Sequence, residues 1–176
     1  MTKIFTSALS LLVLVSALAA NPVEAETLKV GDAAPSFTAK THEGKDFDLK
    51  SRSGKWTVLY FYPKANTPGC TTQACAFRDN IKKVRSQGAE VFGISTDNVK
   101  DQAAFHDEHH LNFDLLADSD AKVSNLYGTK MWGIKMSQRW TFVINPQLKI
   151  GAIEKDVDPV MDADRVAKTI EELKKL

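Results

Sequence analysis

The chain lacks any strong excess of charge: 23 Lys and Arg stand against 22 Asp and Glu, a formal net charge of +1, and no long run of either sign occurs. Nucleic-acid and anionic-membrane binding gain no support from such a balance, since both draw on clustered positive charge. Internal repeats and low-complexity segments are also missing. Cysteine is scarce, with two in 176 residues, and they do not form a C-x-x-C pair. No cysteine follows the apolar N-terminal stretch, so a lipid anchor there is not supported. His106 and His110 are spaced i,i+4 with Glu108 between them, which can bind a metal, but the string is H-D-E-H-H rather than H-E-x-x-H and no third ligand is evident. No metal site is expected.

Residues 1–25 read as a signal peptide. Lys3 is the short positive region, Leu9 to Ala20 the apolar core, and Val23-Glu24-Ala25 a small-residue cleavage site, with Ala17-Leu18-Ala19 as second choice. The protein is therefore expected to be periplasmic or secreted, where disulfides persist. Residues 26–176 are a comfortable length for one domain with its own core, and 43% of the chain is hydrophobic. No membrane association is expected once the signal is removed.

That remainder is organised around WTVLYFYPKANTPGCTTQAC, Trp56 to Cys75. The near-continuous apolar run from Trp56 to Tyr62, too short for a spanning helix and rich in aromatic and β-branched residues, predicts a buried strand. Pro63 stops it. Thr67-Pro68-Gly69 then supplies turn chemistry leading into a helix predicted from about Cys70 to Gln87, with Gly88 as its stop. One cysteine thus sits where a buried strand hands over to a helix. The first turn of a helix carries unpaired N–H groups and partial positive charge, which favour a thiolate. That dipole supplies roughly 0.3–1 kcal/mol, ~2 at best, which lowers a thiol's pKa by about one unit. A thiolate at neutral pH wants a cation nearby as well.

Helical phase sorts the two thiols. Cys70, Ala74, Phe77, Ile81 and Val84 share the face that must cover the sheet, which predicts a half-buried Cys70 at its edge. Cys75 lines up with Arg78, Lys82 and Arg85 and is expected to be accessible from outside. Five residues along an intact helix hold the Cα atoms about 8–9 Å apart, whereas a disulfide needs about 4.4–6.8 Å. If the two pair, the first turns must unwind, and the bond is labile. The alternative is an inert structural disulfide, worth roughly 2 kcal/mol for so short a loop.

Elsewhere, Pro35 to Leu49 alternates weakly around His42-Glu43-Gly44-Lys45 and suggests an edge hairpin. Ala89 to Ser95 reads as a second inner strand, followed by an Asp97-Asn98 cap and a helix to about His110. Leu115-Leu116 falls in a short strand, and Ala121 to Tyr127 in a brief helix closed by Gly128. Trp140 to Ile144 and Lys149 to Glu154 form a hairpin across Asn145-Pro146. A final helix carries Ala163, Val166, Ala167, Ile170 and Leu173 on one stripe. Strands alternating with helices, plus hairpins, predict an α/β sandwich on a mixed central sheet.

Pro63-Lys64-Ala65-Asn66-Thr67-Pro68-Gly69-Cys70 matches P-x-x-x-T-x-x-C, and TPGCTTQAC places a second cysteine five residues on. With Asp32-Ala33-Ala34-Pro35-Ser36-Phe37, Gly93-Ile94-Ser95, Leu115-Leu116-Ala117-Asp118 and Arg139-Trp140-Thr141-Phe142-Val143-Ile144, the mature chain resembles the peroxiredoxins, and among them the peroxiredoxin Q or bacterioferritin comigratory protein branch. The resemblance implies a thioredoxin-like fold and a thiol peroxidase acting on hydrogen peroxide and organic hydroperoxides, with no cofactor or metal. It implies Cys70 as peroxidatic and Cys75 as resolving cysteine, joined in an intrachain disulfide that a thioredoxin-like dithiol protein re-reduces. Thr67 would set its hydroxyl beside the thiolate, Pro63 would shield the pocket, and Arg139 would supply the missing cation. Resolution within one chain makes a monomer sufficient.

Two other classes stay open on the residues alone: a dithiol–disulfide oxidoreductase or redox sensor on the same fold, and an exported binding module with an inert disulfide. Trp56, Trp132 and Trp140 read as core or pocket wall. The Met131-Trp132-Gly133-Ile134-Lys135-Met136 segment lies where the chain looks shorter than in many members of that family, and with its Met and Trp it is the expected docking surface for a reductant.

Overall fold

The computed structural model describes residues 27–175; the signal peptide expected over residues 1–25 lies outside them. The chain runs through β1 (Thr38–Thr41), β2 (Asp46–Asp48), a 3-10 turn (Leu49–Arg52), β3 (Trp56–Phe61), α1 (Pro68–Ser86), β4 (Ala89–Ser95), α2 (Val99–Glu108), β5 (Asp114–Ala117), α3 (Lys122–Leu126), β6 (Trp140–Ile144), β7 (Ile150–Glu154) and α4 (Asp162–Leu173). These strands form one seven-stranded sheet in the order β2-β1-β5-β4-β3-β6-β7. The β3, β4 and β5 neighbours are parallel, whereas β6 runs antiparallel to β3, and hairpins close both edges. The mixed sheet flanked by helices is the α/β class that the sequence predicts.

The apolar run in β3 is continuous because both of its faces are covered. Val58, Tyr60 and Tyr62 point into one core with Phe77 and Val84 of α1 and Val166 and Ile170 of α4. Leu59 and Phe61 point into the other, with Phe37, Ile94, Val123, Tyr127 and Phe142. Gly93 faces the ring of Tyr60 across β3 and β4, where a Cβ would come within 2.5 Å of the tyrosine oxygen. No larger residue fits without shifting that ring.

Two boundaries differ from expectation. Helix α1 begins at Pro68, two residues before Cys70, because proline suits the first helical position, where its missing N–H costs nothing. Helix α2 ends at Glu108, since His110 takes a left-handed conformation with φ of 49°.

No local pattern signals that His42, in the β1–β2 turn, stacks on His106 of α2, with ring centroids 3.8 Å apart. His42 is buried, and its Nδ1 accepts the Leu115 N–H at 3.4 Å. Burial, and secondarily the His106 ring, hold its pKa below the usual 6.5, against the opposing pull of Asp114, Glu43 and Asp107. On acidification the unfolded chain binds this proton first, so the stability present above pH ~6.5 is lost as pH falls. Denaturation midpoints of the parent should therefore drop between about pH 7.5 and about pH 5.5, and His42→Phe should flatten that slope. A parental slope in the variant contradicts the assignment.

Candidate active site

The end of β3 and the start of α1 meet at a five-residue loop, Pro63 to Thr67, that is tied down at several points. Asp97 Oδ2 accepts the Ala65 N–H at 2.8 Å and the Ser95 hydroxyl at 2.7 Å. Gln102 bridges the Tyr62 hydroxyl, Ser95 Oγ and the Leu116 carbonyl. Asn66, left-handed at φ of 56°, bonds Glu108 and His109 at the far end of α2. The loop thereby delivers α1 in one fixed direction.

Thr67 is the N-cap of α1, yet its side chain caps nothing: its hydroxyl donates to the Lys64 carbonyl at 3.0 Å. The N–H groups of Gly69 and Cys70, in the first turn, have no acceptor within the helix. Cys70 is 1% exposed, not half-buried as its phase suggested. Its apolar side packs among Tyr60, Tyr62, Ala74 and Phe77, and its polar side lies under a guanidinium.

That guanidinium belongs to Arg139. Phe61 pairs with Trp140 across β3 and β6, so Arg139 falls beside the end of β3, at the same sheet edge from which α1 departs. Its Nη2 donates to Cys70 Sγ at 3.4 Å, and its Nη1 reaches the Gly69 carbonyl at 3.4 Å and Gln73 Oε1 at 2.6 Å. A Cβ on residue 69 would stand 3.1 Å from Nη2, so glycine there leaves room for the cation. The cation demanded by the helix-dipole magnitudes is in contact with the sulfur.

Gln73 and Asp162 escaped the sequence reading. Gln73 is buried on α1 one turn after Cys70, and its Nε2 donates to Asp162 Oδ2 at 2.7 Å, which also accepts the Thr141 hydroxyl at 2.8 Å. Burial pushes the Asp162 carboxyl up to about 6, partly offset by those two hydrogen bonds. The available signal was a polar residue on the apolar face of α1, in phase with Cys70 and Phe77.

The remaining sequence-predicted positions are more dispersed. Cys75 is half-buried on the second turn of α1, next to Arg78, whose guanidinium is fixed to the His109 carbonyl at 2.7 Å. Both thiols are free. Pro63 lines a cavity of about 450 Å³ with Thr96, Asp97, Ile134 and Met136. Trp132 is not core or pocket wall: it is 98% exposed at the tip of a short ribbon closed by Met131 N–H to Met136 carbonyl at 2.9 Å, with Gly133 at φ of 76° making the turn. Trp56 and Trp140 are half-buried against the two cores. Among the described residues no three His, Cys, Asp or Glu side chains gather as metal ligands would; His106 stacks on His42 and His109 holds Asn66 instead.

Known proteins resemble this chain in sequence and in fold. The profile of the AhpC/TSA family matches residues 30–153. Peroxiredoxin Bcp of Escherichia coli K12 is 44% identical over 108 residues, which is 61% of this chain and 68% of that protein. The chloroplastic peroxiredoxin Q of Populus jackii is 43% identical over 130 residues, 74% of this chain and 58% of that one. The crystal structure of peroxidoxin BcpB from Mycobacterium tuberculosis superposes with a TM-score of 0.77 at 33% identity, covering 82% of this chain and 97% of that chain, which agrees with a thioredoxin-like fold. The chain belongs to the AhpC/TSA family, among the peroxiredoxins of the Bcp and Q kind, and is a thiol-dependent peroxidase.

Proposed function

We propose that the protein reduces hydrogen peroxide and organic hydroperoxides at Cys70, resolves the oxidised sulfur with Cys75 in the same chain, and is re-reduced by a thioredoxin-like dithiol protein. The contact of Arg139 Nη2 with a buried Cys70 Sγ at an uncapped helix start carries this reading. The Cys70 thiolate attacks one peroxide oxygen: an S–O bond forms, the O–O bond breaks, and the departing oxygen leaves as alkoxide or hydroxide and takes up a proton. Charge grows on that oxygen, so the guanidinium and the first-turn N–H groups are the donors suited to the transition state. Thr67, its hydroxyl proton committed to the Lys64 carbonyl, keeps its lone pairs free to accept from a peroxide O–H.

The sulfenic acid at Cys70 is then attacked by Cys75, forming the disulfide and releasing water. An intact α1 keeps the two sulfurs apart, so its first two turns unwind for this step. Both ends of the unwinding stretch are held by one residue: Asn66 bonds the His109 ring and Arg78 its carbonyl. Remodelling is thus confined to Thr67 to Phe77. The Trp132 ribbon, set beside the Pro63 cavity, is the docking surface for the reductant, and the 1–25 leader exports the protein to the periplasm or beyond.

Cys70→Ser should abolish peroxide consumption, whereas Cys75→Ser should react once and stall as sulfenic acid, both read by peroxide assay and intact mass. Equal loss of the first reaction in the two variants contradicts the roles. Trp132→Ala should raise the KM for a thioredoxin while leaving the first oxidation unchanged; parental turnover with that reductant would remove the docking role.

A further inference from the structure

Behind the Arg139 guanidinium the structure holds a buried polar chain of three side chains that no charge pair explains. An amide accepts at its carbonyl and donates at its nitrogen, so its orientation is fixed by its neighbours. Asp162 Oδ2 can only accept, and it takes the Gln73 N–H at 2.7 Å; this leaves Gln73 Oε1 facing Arg139 Nη1 at 2.6 Å. The reverse orientation would press N–H against N–H. Thr141 on β6 donates to the same Oδ2 and holds the carboxyl in place, while Oδ1 has no partner among the described residues. A carboxyl 1% exposed, with one oxygen orphaned and no cation bonded to it, is costly to bury. Its position is therefore not explained by stability.

We infer that Asp162 is a positioning residue, whose carboxyl fixes the amide of Gln73 and, through it, the guanidinium of Arg139 on the Cys70 sulfur. The rate effect rests on the peroxidase reading; the geometry does not. Besides Gln73 and Thr141, the groups that act on Asp162 are Glu154 on β7, which disfavours its charge, and Arg165 on its own helix, which favours it. Tyr60 on β3 also lies within electrostatic reach of Asp162, as it does of Cys70 and Arg139. Because Oδ1 is the free oxygen, a proton added there leaves Oδ2 accepting as before. The orientation of Gln73 thus survives titration, and an asparagine oxygen can replace Oδ2.

Asp162→Asn should keep the parental rate of first oxidation by hydrogen peroxide, whereas Asp162→Ala should lose on the order of tenfold. Gln73→Met, which keeps the volume and deletes both bonds, should reproduce the loss, and adding Asp162→Ala to it should cost nothing more. A parental rate in Asp162→Ala or in Gln73→Met overturns the inference, as does an Asn variant as slow as the Ala variant. In a Cys75→Ser background, the pH profile of Cys70 alkylation by iodoacetamide should move to higher pH in Asp162→Ala and stay in place in Asp162→Asn; an unmoved Ala profile counts against it. If the parent consumes no peroxide, the peroxidase reading fails while this profile still decides the role of Asp162.

Discussion

One contact organises the molecule: a guanidinium laid against a sulfur that is otherwise enclosed by aromatic side chains. In such surroundings an ionised thiol is tolerable only beside a fixed positive charge and unpaired N–H donors, since burial alone favours the neutral form. The fold supplies both at one sheet edge. The β3–β6 register brings residue 139 beside the end of β3, and the crossover from β3 to β4 starts α1 from the same end. Glycine at 69 and the tethered loop before it let the two approach. The second core, under α3 and the N-terminal segment, holds the sheet that makes this register possible.

Stiffness and its absence are distributed accordingly. The loop from Pro63 to Thr67 is bonded to Asp97, between β4 and α2, and to Glu108 of α2, and the Arg139 side chain to the Gln73–Asp162 chain, so the reacting geometry is held before substrate arrives. The first turns of α1 are two-sided: Cys70 and Gln73 are buried and bonded to Arg139, whereas on the outer side Cys75 and Thr71 are half-buried and Thr72 is exposed, and Thr67 provides no side-chain cap. A missing cap weakens a helix start by about 0.5–2 kcal/mol, which lowers the cost of opening it. On the proposed cycle, the same missing cap exposes N–H groups to the substrate and makes the helix start easy to open.

What was legible in the sequence followed periodicity and turn chemistry. The α1 stripe from Cys70 to Val84, the strand at Ala89–Ser95 and the hairpin after Trp140 are all local patterns, and the structure contains them. The link from Cys70 to Arg139 came from the family likeness rather than from spacing, because 69 residues separate the partners. The Gln73–Asp162 bond spans 89 residues, and each member alone resembles an ordinary helix residue. The depth of Cys70 was underestimated for the same reason: the side chain that covers it arrives from a distant strand. Trp132 was misjudged because hydrophobicity marks burial only where an element exists to cover it.

The central claim is that the Arg139 guanidinium stabilises the charge that develops as Cys70 sulfur attacks peroxide. Stopped-flow measurement of the first oxidation of reduced Arg139→Met, followed by tryptophan fluorescence, tests it most directly. A loss of roughly 10²-fold or more is predicted, the scale of a deleted oxyanion donor. A rate within about twofold of the parent would contradict it, since the contact would then be contributing almost nothing to the barrier.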